Sequence, residues 1–221
     1  MARMPDVTAY HLRPFYPDDP EEIERMNLMF YHPHVLKHMG FKEGEHYPER
    51  RDELQRPDKS MFASASEVRE KHGDVAYGIA DAADGLVGWV WFCIDKRHPL
   101  PVRVARRLEV LPQTRVYQVV YEKLLSADWP DYLIERMVHV KHEELFRTRK
   151  GVVVEGLRLA ILKLKHEYGR LWTKPAELVL YGFVLPENIA SQKVLLANGF
   201  SREDRLYWCD GVEHQLWVSV I

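Results

Sequence analysis

The stretch Pro186-Glu-Asn-Ile-Ala-Ser-Gln-Lys-Val-Leu-Leu-Ala-Asn-Gly-Phe200 is the part of the sequence that decides the fold. It follows the strongly apolar run 178–184, which predicts a buried strand, and it leads into a second strand-like segment. Asn188 stands where a helix N-cap belongs, and Gly199 stands where the same helix ends. The stretch therefore predicts a strand, a short helix over 188–198 and a return to a strand.

Elements on both sides of this stretch alternate between strands and helices, which predicts one α/β domain over 1–221. Apolar residues recur at helical spacing from Val152 to Tyr168, and Gly169 is expected to end that helix. The other predicted elements are a strand over 8–15, a helix that begins at Asp19-Pro20, a hairpin of strands over 75–80 and 86–94, and a C-terminal hairpin that turns at Asp210-Gly211.

Two long segments show no clear periodicity. Residues 31–71 are expected to be irregular, with a short helix near 66–72. Further along, residues 102–111 are consistent with a strand, whereas 117–125 fit a helix at least as well as a strand. We expect 96–146 to be an insertion or a divergent region ahead of the long helix.

The composition is that of a water-soluble globular protein, because 46% of the 221 residues are hydrophobic and 29% are charged. A net charge of −2 gives no overall attraction to nucleic acid or to an anionic membrane. The apolar run 85–94 is shorter than the roughly 20 residues that a membrane helix needs. Cys93 and Cys209 lie in strand-like stretches and no secretory signal is evident, so we expect reduced thiols in a cytoplasmic protein. We expect this protein to be a monomer or a homodimer.

The histidines raise the question of a metal site. His139, His142 and Glu143 follow the order H-x-x-H-E, which differs from the H-E-x-x-H of zinc hydrolases. We therefore expect no metal.

Four residues of the opening stretch have the spacing of a known family motif. Asn188 is followed by the small residue Ser191 three positions on, and by Gly199 and Phe200 eleven and twelve positions on. This pattern resembles the C-terminal motif of the GNAT acetyltransferase superfamily. Ser191 together with Lys193 resembles the branch of ribosomal-protein N-terminal acetyltransferases.

Other segments extend the resemblance. Leu12-Arg-Pro followed by Asp18-Asp19 is similar to the family's first strand and turn, 85–90 to its third strand, and Asp210-Gly-Val to its last hairpin. The resemblance implies a single-domain GNAT-like fold: a mixed, mostly antiparallel sheet of about seven strands flanked by helices, with an insertion before the phosphate-loop helix. It also implies acetyl-CoA as co-substrate.

The resemblance implies a pyrophosphate site at a helix N-terminus, where unpaired N–H groups and the helix dipole favour anions. The first candidate is Arg147-Thr-Arg-Lys-Gly-Val-Val-Val-Glu-Gly156, directly ahead of the long helix. The second candidate is 110–115. A helix starting there would leave about fifty residues before the strand at 178, which is longer than most connections. The residues implied to bind acetyl-CoA are Arg147, Arg149, Lys150, Gly151, Val152, Val153, Val154, Asn188 and Lys193.

The loop departs from the family pattern of Gln or Arg, two residues, Gly, one residue, then Gly or Ala. With Arg149 as the lead residue, Val152 and Val154 occupy the small positions. With Gly151 kept in place, Thr148 becomes the lead. Valines restrict the backbone where glycine would let a phosphate approach closely, and the cations of the loop are expected to offset this by meeting phosphate charge directly.

Acetyl transfer to an amine needs a neutral amine, because an ammonium group has no lone pair for attack. In the resembling family the base, where there is one, is commonly a Glu on the strand before the phosphate loop. Glu135, fourteen residues ahead of Arg149, is the first candidate. Glu109 and Glu122 are the alternatives under other registrations.

The departing thiolate needs modest help from an acid, because a thiol pKa is near 8.5. Many family members carry a Tyr seven residues after the motif Asn, and this chain has Leu195 there. The resemblance instead gives Ser191 a role as proton donor or thiolate contact, although a small residue also serves close helix packing. Lys193 is expected near pantetheine or phosphate.

Together these residues predict an acetyl-CoA-dependent N-acetyltransferase in which a primary amine attacks the thioester directly. The expected acceptor is an amine-bearing small molecule or a protein N-terminus, and neither nucleic acid nor membrane is an expected partner. The alternative is a non-catalytic GNAT-like domain that binds CoA or a peptide.

Overall fold

The computed structural model describes residues 10–16, 18–38, 73–112, 114–125, 129, 131–135, 137–146, 149–171, 178–209 and 211–221. Along these residues the elements are β1 (His11–Arg13), α1 (Pro20–Tyr31), α2 (Pro33–His38), β2 (Val75–Ala80), β3 (Leu86–Cys93), α3 (Val102–Arg107), β4 (Arg115–Lys123), α4 (Asp131–Ile134), α5 (His142–Leu145), α6 (Val152–Leu171), β5 (Leu178–Val184), α7 (Ile189–Ala197), β6 (Ser201–Cys209) and β7 (Val212–Val220).

The strands form one sheet in the order β1-β2-β3-β4-β5-β7-β6. The central strands β4 and β5 are parallel, and every other neighbouring pair is antiparallel. The predicted mixed, mostly antiparallel sheet of about seven strands flanked by helices is confirmed.

Helix α6 connects the two parallel strands and packs closely on one face of the sheet. A Cβ on Gly156 would lie 2.1 Å from Ile79 Cδ1, so only glycine lets the helix approach β2 this closely. A Cβ on Gly88 of β3 would lie 3.1 Å from Val152 Cγ1, at the start of the helix. Leu157 and Leu164 are fully buried in the resulting core.

The opposite face is covered by two separate groups of side chains. Met26 and Met29 of α1 pack with Trp89 of β3 on one side, whereas Val104 of α3 packs with Tyr181 of β5 on the other. Helices therefore cover the sheet on both faces, and β4 runs through its centre.

The prediction for 117–125 is resolved in favour of a strand, because 117–123 belong to β4. Tyr117 and Val119 face the α6 side, whereas Val116 and Val120 face the other side. A strand buried on both faces lacks the alternation of apolar and polar residues that identifies a half-buried strand. Its apolar residues therefore matched a helix equally well.

The expected strand over 102–111 is wrong, because 102–107 form α3. In a strand, Val102 and Val104 would share one face. In the helix they point in different directions, so Val104 is buried and Val102 is exposed. The segment 96–146 thus contains a helix, the central strand β4 and the two short helices α4 and α5.

The remaining elements follow the sequence with small differences. The side chain of Asp19 caps α1, accepting a hydrogen bond from Glu21 N at 2.9 Å. Helix α6 continues to Leu171, so the expected end at Gly169 is wrong. Residues 33–38 form α2 where irregular structure was expected, and the predicted helix near 66–72 lies outside the described residues.

Both cysteines are buried and are not bonded to each other. Among the helices that the structure describes, none combines the length and the apolar character needed to span a bilayer.

Candidate active site

The two central strands separate part-way along their length. Their parallel pairing runs from Arg115 opposite Leu178 to Gln118 opposite Tyr181. Beyond this point β4 continues to Lys123 in pairing with β3, and β5 continues to Val184 in pairing with β7. Past Gln118, therefore, the described parts of β4 and β5 pair with their outer neighbours and a wedge opens between them.

Glu122 lies on the part of β4 that borders this wedge. Its register partner on β3 is Trp89, so the two side chains project from the same face of the sheet. The carboxyl group is half-buried, and burial raises its pKa to about 7, against the weaker lowering effects of the Lys123 backbone N–H and ammonium. This carboxyl group changes its charge near neutral pH.

Tyr121 links β4 to α7 across the sheet. Its hydroxyl group donates a hydrogen bond of 3.1 Å to the backbone oxygen of Ser191. Burial raises the pKa of the phenol above its ordinary value, so the hydroxyl group stays protonated. The contact holds the first turn of α7 next to the wedge.

The N-terminus of α6 lies beside the same end of β4. A Cβ on Gly88 would lie 2.8 Å from the backbone oxygen of Glu122 and 3.1 Å from Val152. Gly151 precedes the helix with φ +73°, a conformation that favours glycine, and its carbonyl group accepts from Glu155 N. The end of β4 and the start of α6 are therefore neighbours.

The first-turn valines of α6 leave their backbone N–H groups open. The side chains of Val152 and Val153 are buried, and Val154 is half-buried. Within the described residues, no side-chain oxygen accepts a hydrogen bond from the N–H groups of these three residues. The valine side chains serve the core, while the helix keeps the free donors that an anion site requires.

Asn198 and Tyr10 hold this loop from two directions. Asn198 Nδ2 donates to the carbonyl oxygen of Val154 at 3.2 Å. Tyr10 Oη donates to the carbonyl oxygen of Lys150 at 3.1 Å. These two contacts fix the backbone at Lys150, ahead of α6, and at Val154, in the first turn of α6.

The loop cations have different environments. Arg149 is buried, and its guanidinium donates to the backbone oxygen of Glu144 at 2.7 Å and to the Glu144 carboxylate at 2.8 Å. Lys150 is exposed, and Arg147 lies outside the described residues. Of the predicted phosphate ligands, Lys150 is thus a solvent-facing cation, whereas Arg149 is engaged by Glu144.

Helix α7 begins differently from α6, because Asn188 Oδ1 accepts from Ser191 N at 3.1 Å and closes its N-terminus. Lys193 is exposed, and Leu195 is buried in the core. The structure therefore assigns Asn188 a capping role that is independent of any ligand.

The prediction that Glu135 lies on the strand before the phosphate loop is wrong. That strand is β4, which carries Glu122, whereas Glu135 is exposed in the turn after α4. Glu109 is exposed in the turn after α3, with φ +52°. The error arose because β4 was not recognised as a strand. The alternative loop at 110–115 leads into β4 and not into a helix.

Two further side chains near the site were not anticipated. Tyr121 adjoins Glu122 in the segment that matched helix and strand equally, so its direction was not readable. Glu144 had no sequence signal that would pair it with Arg149.

Among the residues that the structure describes, no three His, Cys, Asp or Glu side chains are grouped as a metal site.

No protein-family model and no curated protein sequence matches this chain. Solved structures, in contrast, do match this chain. Mycobacterium smegmatis RimJ in complex with CoA-disulfide is 18% identical, with a TM-score of 0.57 over 96% of this chain and 81% of that chain. The chain has the GNAT acetyltransferase fold.

Other structures with this fold cover nearly the whole of both chains. Ribosomal-protein-S5-alanine acetyltransferase from Vibrio fischeri is 15% identical, with a TM-score of 0.52 over 96% of this chain and 92% of that chain. Aminoglycoside acetyltransferase AAC(6')-Ib in complex with coenzyme A is 10% identical, with a TM-score of 0.56 over 96% and 94%. The GNAT fold thus accounts for this chain from β1 to β7.

Proposed function

We propose that this protein is an acetyl-CoA-dependent N-acetyltransferase that transfers an acetyl group to a primary amine. The observation that carries the proposal is the open N-terminus of α6 beside the end of β4, where β4 separates from β5 and bears Glu122. The similar structures support it, because RimJ and AAC(6')-Ib are described in complexes with CoA-disulfide and coenzyme A.

The N–H groups of Val152, Val153 and Val154 would hold the pyrophosphate, with Lys150 as the nearby exposed cation. Gly151 allows the turn that presents these groups. The separated edges of β4 and β5 offer backbone groups to a chain that contains amides, as pantetheine does. These features fit acetyl-CoA, which supplies the acetyl thioester.

We assign the general base to Glu122 in preference to Glu109 or Glu135, because it is the candidate that lies on β4 beside the wedge. With a pKa of about 7 it accepts a proton readily near neutral pH. The amine nitrogen forms the new bond to the acetyl carbon as the carbon–sulfur bond breaks, and the amine proton passes to Glu122. Ser191, at the first turn of α7, contacts the departing thiolate in this scheme.

The acceptor amine would reach Glu122 from the face covered by α1 and α3. On this face Trp89 Nε1 and Gln118 Oε1 are buried without a hydrogen-bond partner among the described residues. The acceptor class that we propose is an amine-bearing small molecule or a protein N-terminus.

A non-catalytic domain that binds CoA or a peptide is the second candidate. It is favoured by Leu195, which is buried where many GNAT enzymes carry a tyrosine. This candidate predicts CoA binding without turnover.

The test is a calorimetric titration of CoA followed by an assay of CoA release with acetyl-CoA and a panel of amines. The panel contains peptides with free N-termini, aminoglycosides and polyamines. We expect CoA binding, and CoA release with N-acetylated product detected by mass spectrometry for at least one acceptor class. Binding without release across the panel would favour the second candidate. Absence of CoA binding would contradict both.

A further inference from the structure

The segment that leads into the phosphate loop is attached to α1 through a carboxylate. Glu24 Oε1 accepts from Val138 N at 2.6 Å, and Glu24 Oε2 accepts from His139 N at 2.7 Å and from Val140 N at 2.5 Å. Three consecutive backbone N–H groups thus converge on one side chain of α1. Such an arrangement holds the backbone of 138–140 in a single conformation.

A second carboxylate joins the same segment to the loop itself. Glu144 accepts from the guanidinium of Arg149 at 2.8 Å, and the Arg149 side chain is 4% exposed. The Glu144 carboxylate also lies 4.0 Å from the guanidinium of Arg25 on α1, which is buried and donates to Glu21. Arg149 is two residues before Gly151, so this chain of contacts ends at the start of α6.

We propose that α1 positions the phosphate loop through Glu24, Glu144 and Arg149, which act as positioning residues for acetyl-CoA. This inference rests on the proposed function, since it assigns the pyrophosphate to the N-terminus of α6. The first turn of α6 carries Val152, Val153 and Val154, where glycines would let the backbone adapt to a phosphate. A loop fixed before the ligand arrives binds with a smaller loss of conformational entropy, and the contacts to α1 supply that fixation.

The change in CoA affinity on removal of the Glu144 carboxylate distinguishes this positioning role from direct phosphate binding by Arg149. If Arg149 bound phosphate directly, Glu144 would compete for its guanidinium, and removing the carboxylate would tighten CoA binding. If Glu144 and Arg149 hold the loop, removing the carboxylate leaves Arg149 buried without this partner and loosens the loop. CoA binding then weakens.

The experiment compares Glu144→Gln and Glu24→Gln with Glu143→Gln, a neighbouring exposed carboxylate on α5 that is outside these contacts. We expect the dissociation constant for CoA and the KM for acetyl-CoA to rise about tenfold in the first two variants, with kcat changed by less than about twofold. Glu143→Gln should match the wild type. Arg149→Lys keeps the charge and should give an intermediate increase.

Hydrogen exchange provides a readout that is independent of activity. The amide of Glu155, which donates to the carbonyl oxygen of Gly151, should exchange faster in Glu144→Gln and Glu24→Gln than in the wild type or in Glu143→Gln. Unchanged exchange at this amide, or unchanged or tighter CoA binding by Glu144→Gln, would overturn the positioning role. If the wild type itself binds no CoA, the proposed function fails, while the exchange data still decide whether α1 holds the loop.

Discussion

The two parallel strands at the centre of the sheet lead into helices that begin in opposite ways. After β5, residues 185–188 connect directly to α7, and Asn188 closes the helix N-terminus with its side chain. After β4, residues 124–151 intervene before α6, and no side chain among the described residues caps its first turn. β4 ends in Tyr121, Glu122 and Lys123, whereas β5 ends in apolar residues.

The motif at α7 identifies the fold, whereas the start of α6 and the end of β4 would bind the ligand and perform the chemistry. The motif that matches the GNAT pattern well is used structurally, because Asn188 caps α7 and Phe200 is buried in the core. The loop that matches poorly keeps the open helix N-terminus and the neighbouring Glu122. In this chain Asn188 and Phe200 of the family motif have structural roles, whereas the proposed pyrophosphate site lies at the start of α6.

The largest expected effect comes from Glu122→Gln at the end of β4. We expect kcat/KM at pH 7 to fall about 100- to 1,000-fold, because the base is lost while the side-chain shape is kept. In the wild type, kcat/KM should rise with pH through a value near 7, where the Glu122 carboxyl group loses its proton, and this step should be absent from the variant. Glu135→Gln, in the exposed turn after α4, is the control and should leave both rate and profile unchanged.

Glu122→Gln should also raise the free energy of unfolding at pH 8. This increase distinguishes the loss of a base from damage to the fold. The native pKa of Glu122 is raised from 4.5 to about 7, so the native state binds more protons than the unfolded state between these pH values. The free energy of unfolding contributed by this group therefore falls as pH rises through that interval. At pH 8 the neutral Gln variant should be more stable by about 1–3 kcal/mol. Denaturant unfolding at pH 5 and pH 8 measures this, and a variant less stable at pH 8 would contradict the buried carboxylate.

The next largest effect comes from making the start of α6 resemble the start of α7. Gly151→Asp places a carboxylate beside the open N–H groups, and aspartate tolerates the positive φ of this position better than most residues. We expect the dissociation constant for CoA to rise about 30-fold, because the carboxylate occupies the donors and repels phosphate. Gly151→Asn, which adds a neutral cap, should raise it less. Equal affinities in calorimetry for Asp, Asn and Gly would remove the pyrophosphate from this position.

The sequence carries enough information to predict most elements of the fold, including β5, whereas β4 could be assigned only from the structure. Asp19, Asn188 and Gly211 mark caps and a turn through local chemistry, and those elements are confirmed. β4 is buried on both faces, so its pattern carries no period, and Glu122 ranked behind Glu135 for that reason. The Glu144–Arg149 contact depends on how α5 is placed, which no local pattern encodes.

A smaller effect is expected from Gly151→Ala, for which Gly199→Ala is a matched control. Both glycines have positive φ, +73° and +80°, and a Cβ at either position meets nothing within 4 Å. Each substitution should cost about 1 kcal/mol of unfolding free energy through backbone strain. Gly151→Ala alone should also weaken CoA binding, by about fivefold, because the loop must shift. Equal CoA affinity in the two variants would show that the conformation of Gly151 does not matter for binding.

The smallest effect on ligand binding is expected at the capped helix. Asn188→Ala removes the hydrogen bond to Ser191 N and should lower the free energy of unfolding by about 1 kcal/mol. The dissociation constant for CoA, measured well below the unfolding temperature, should stay within about threefold of the wild type. A loss of CoA binding far beyond this would show that Asn188 contacts the ligand and does more than cap α7.

The central claim is that the open N-terminus of α6 binds pyrophosphate despite its valines. Its most direct test is a calorimetric comparison of CoA with pantetheine, which lacks the phosphates and the nucleotide, on the wild type and on Gly151→Asp. We predict that the wild type binds CoA at least about 100-fold more tightly than pantetheine, and that most of this difference disappears in Gly151→Asp. Equal binding of the two ligands by the wild type, or an unchanged difference in the variant, would contradict the account.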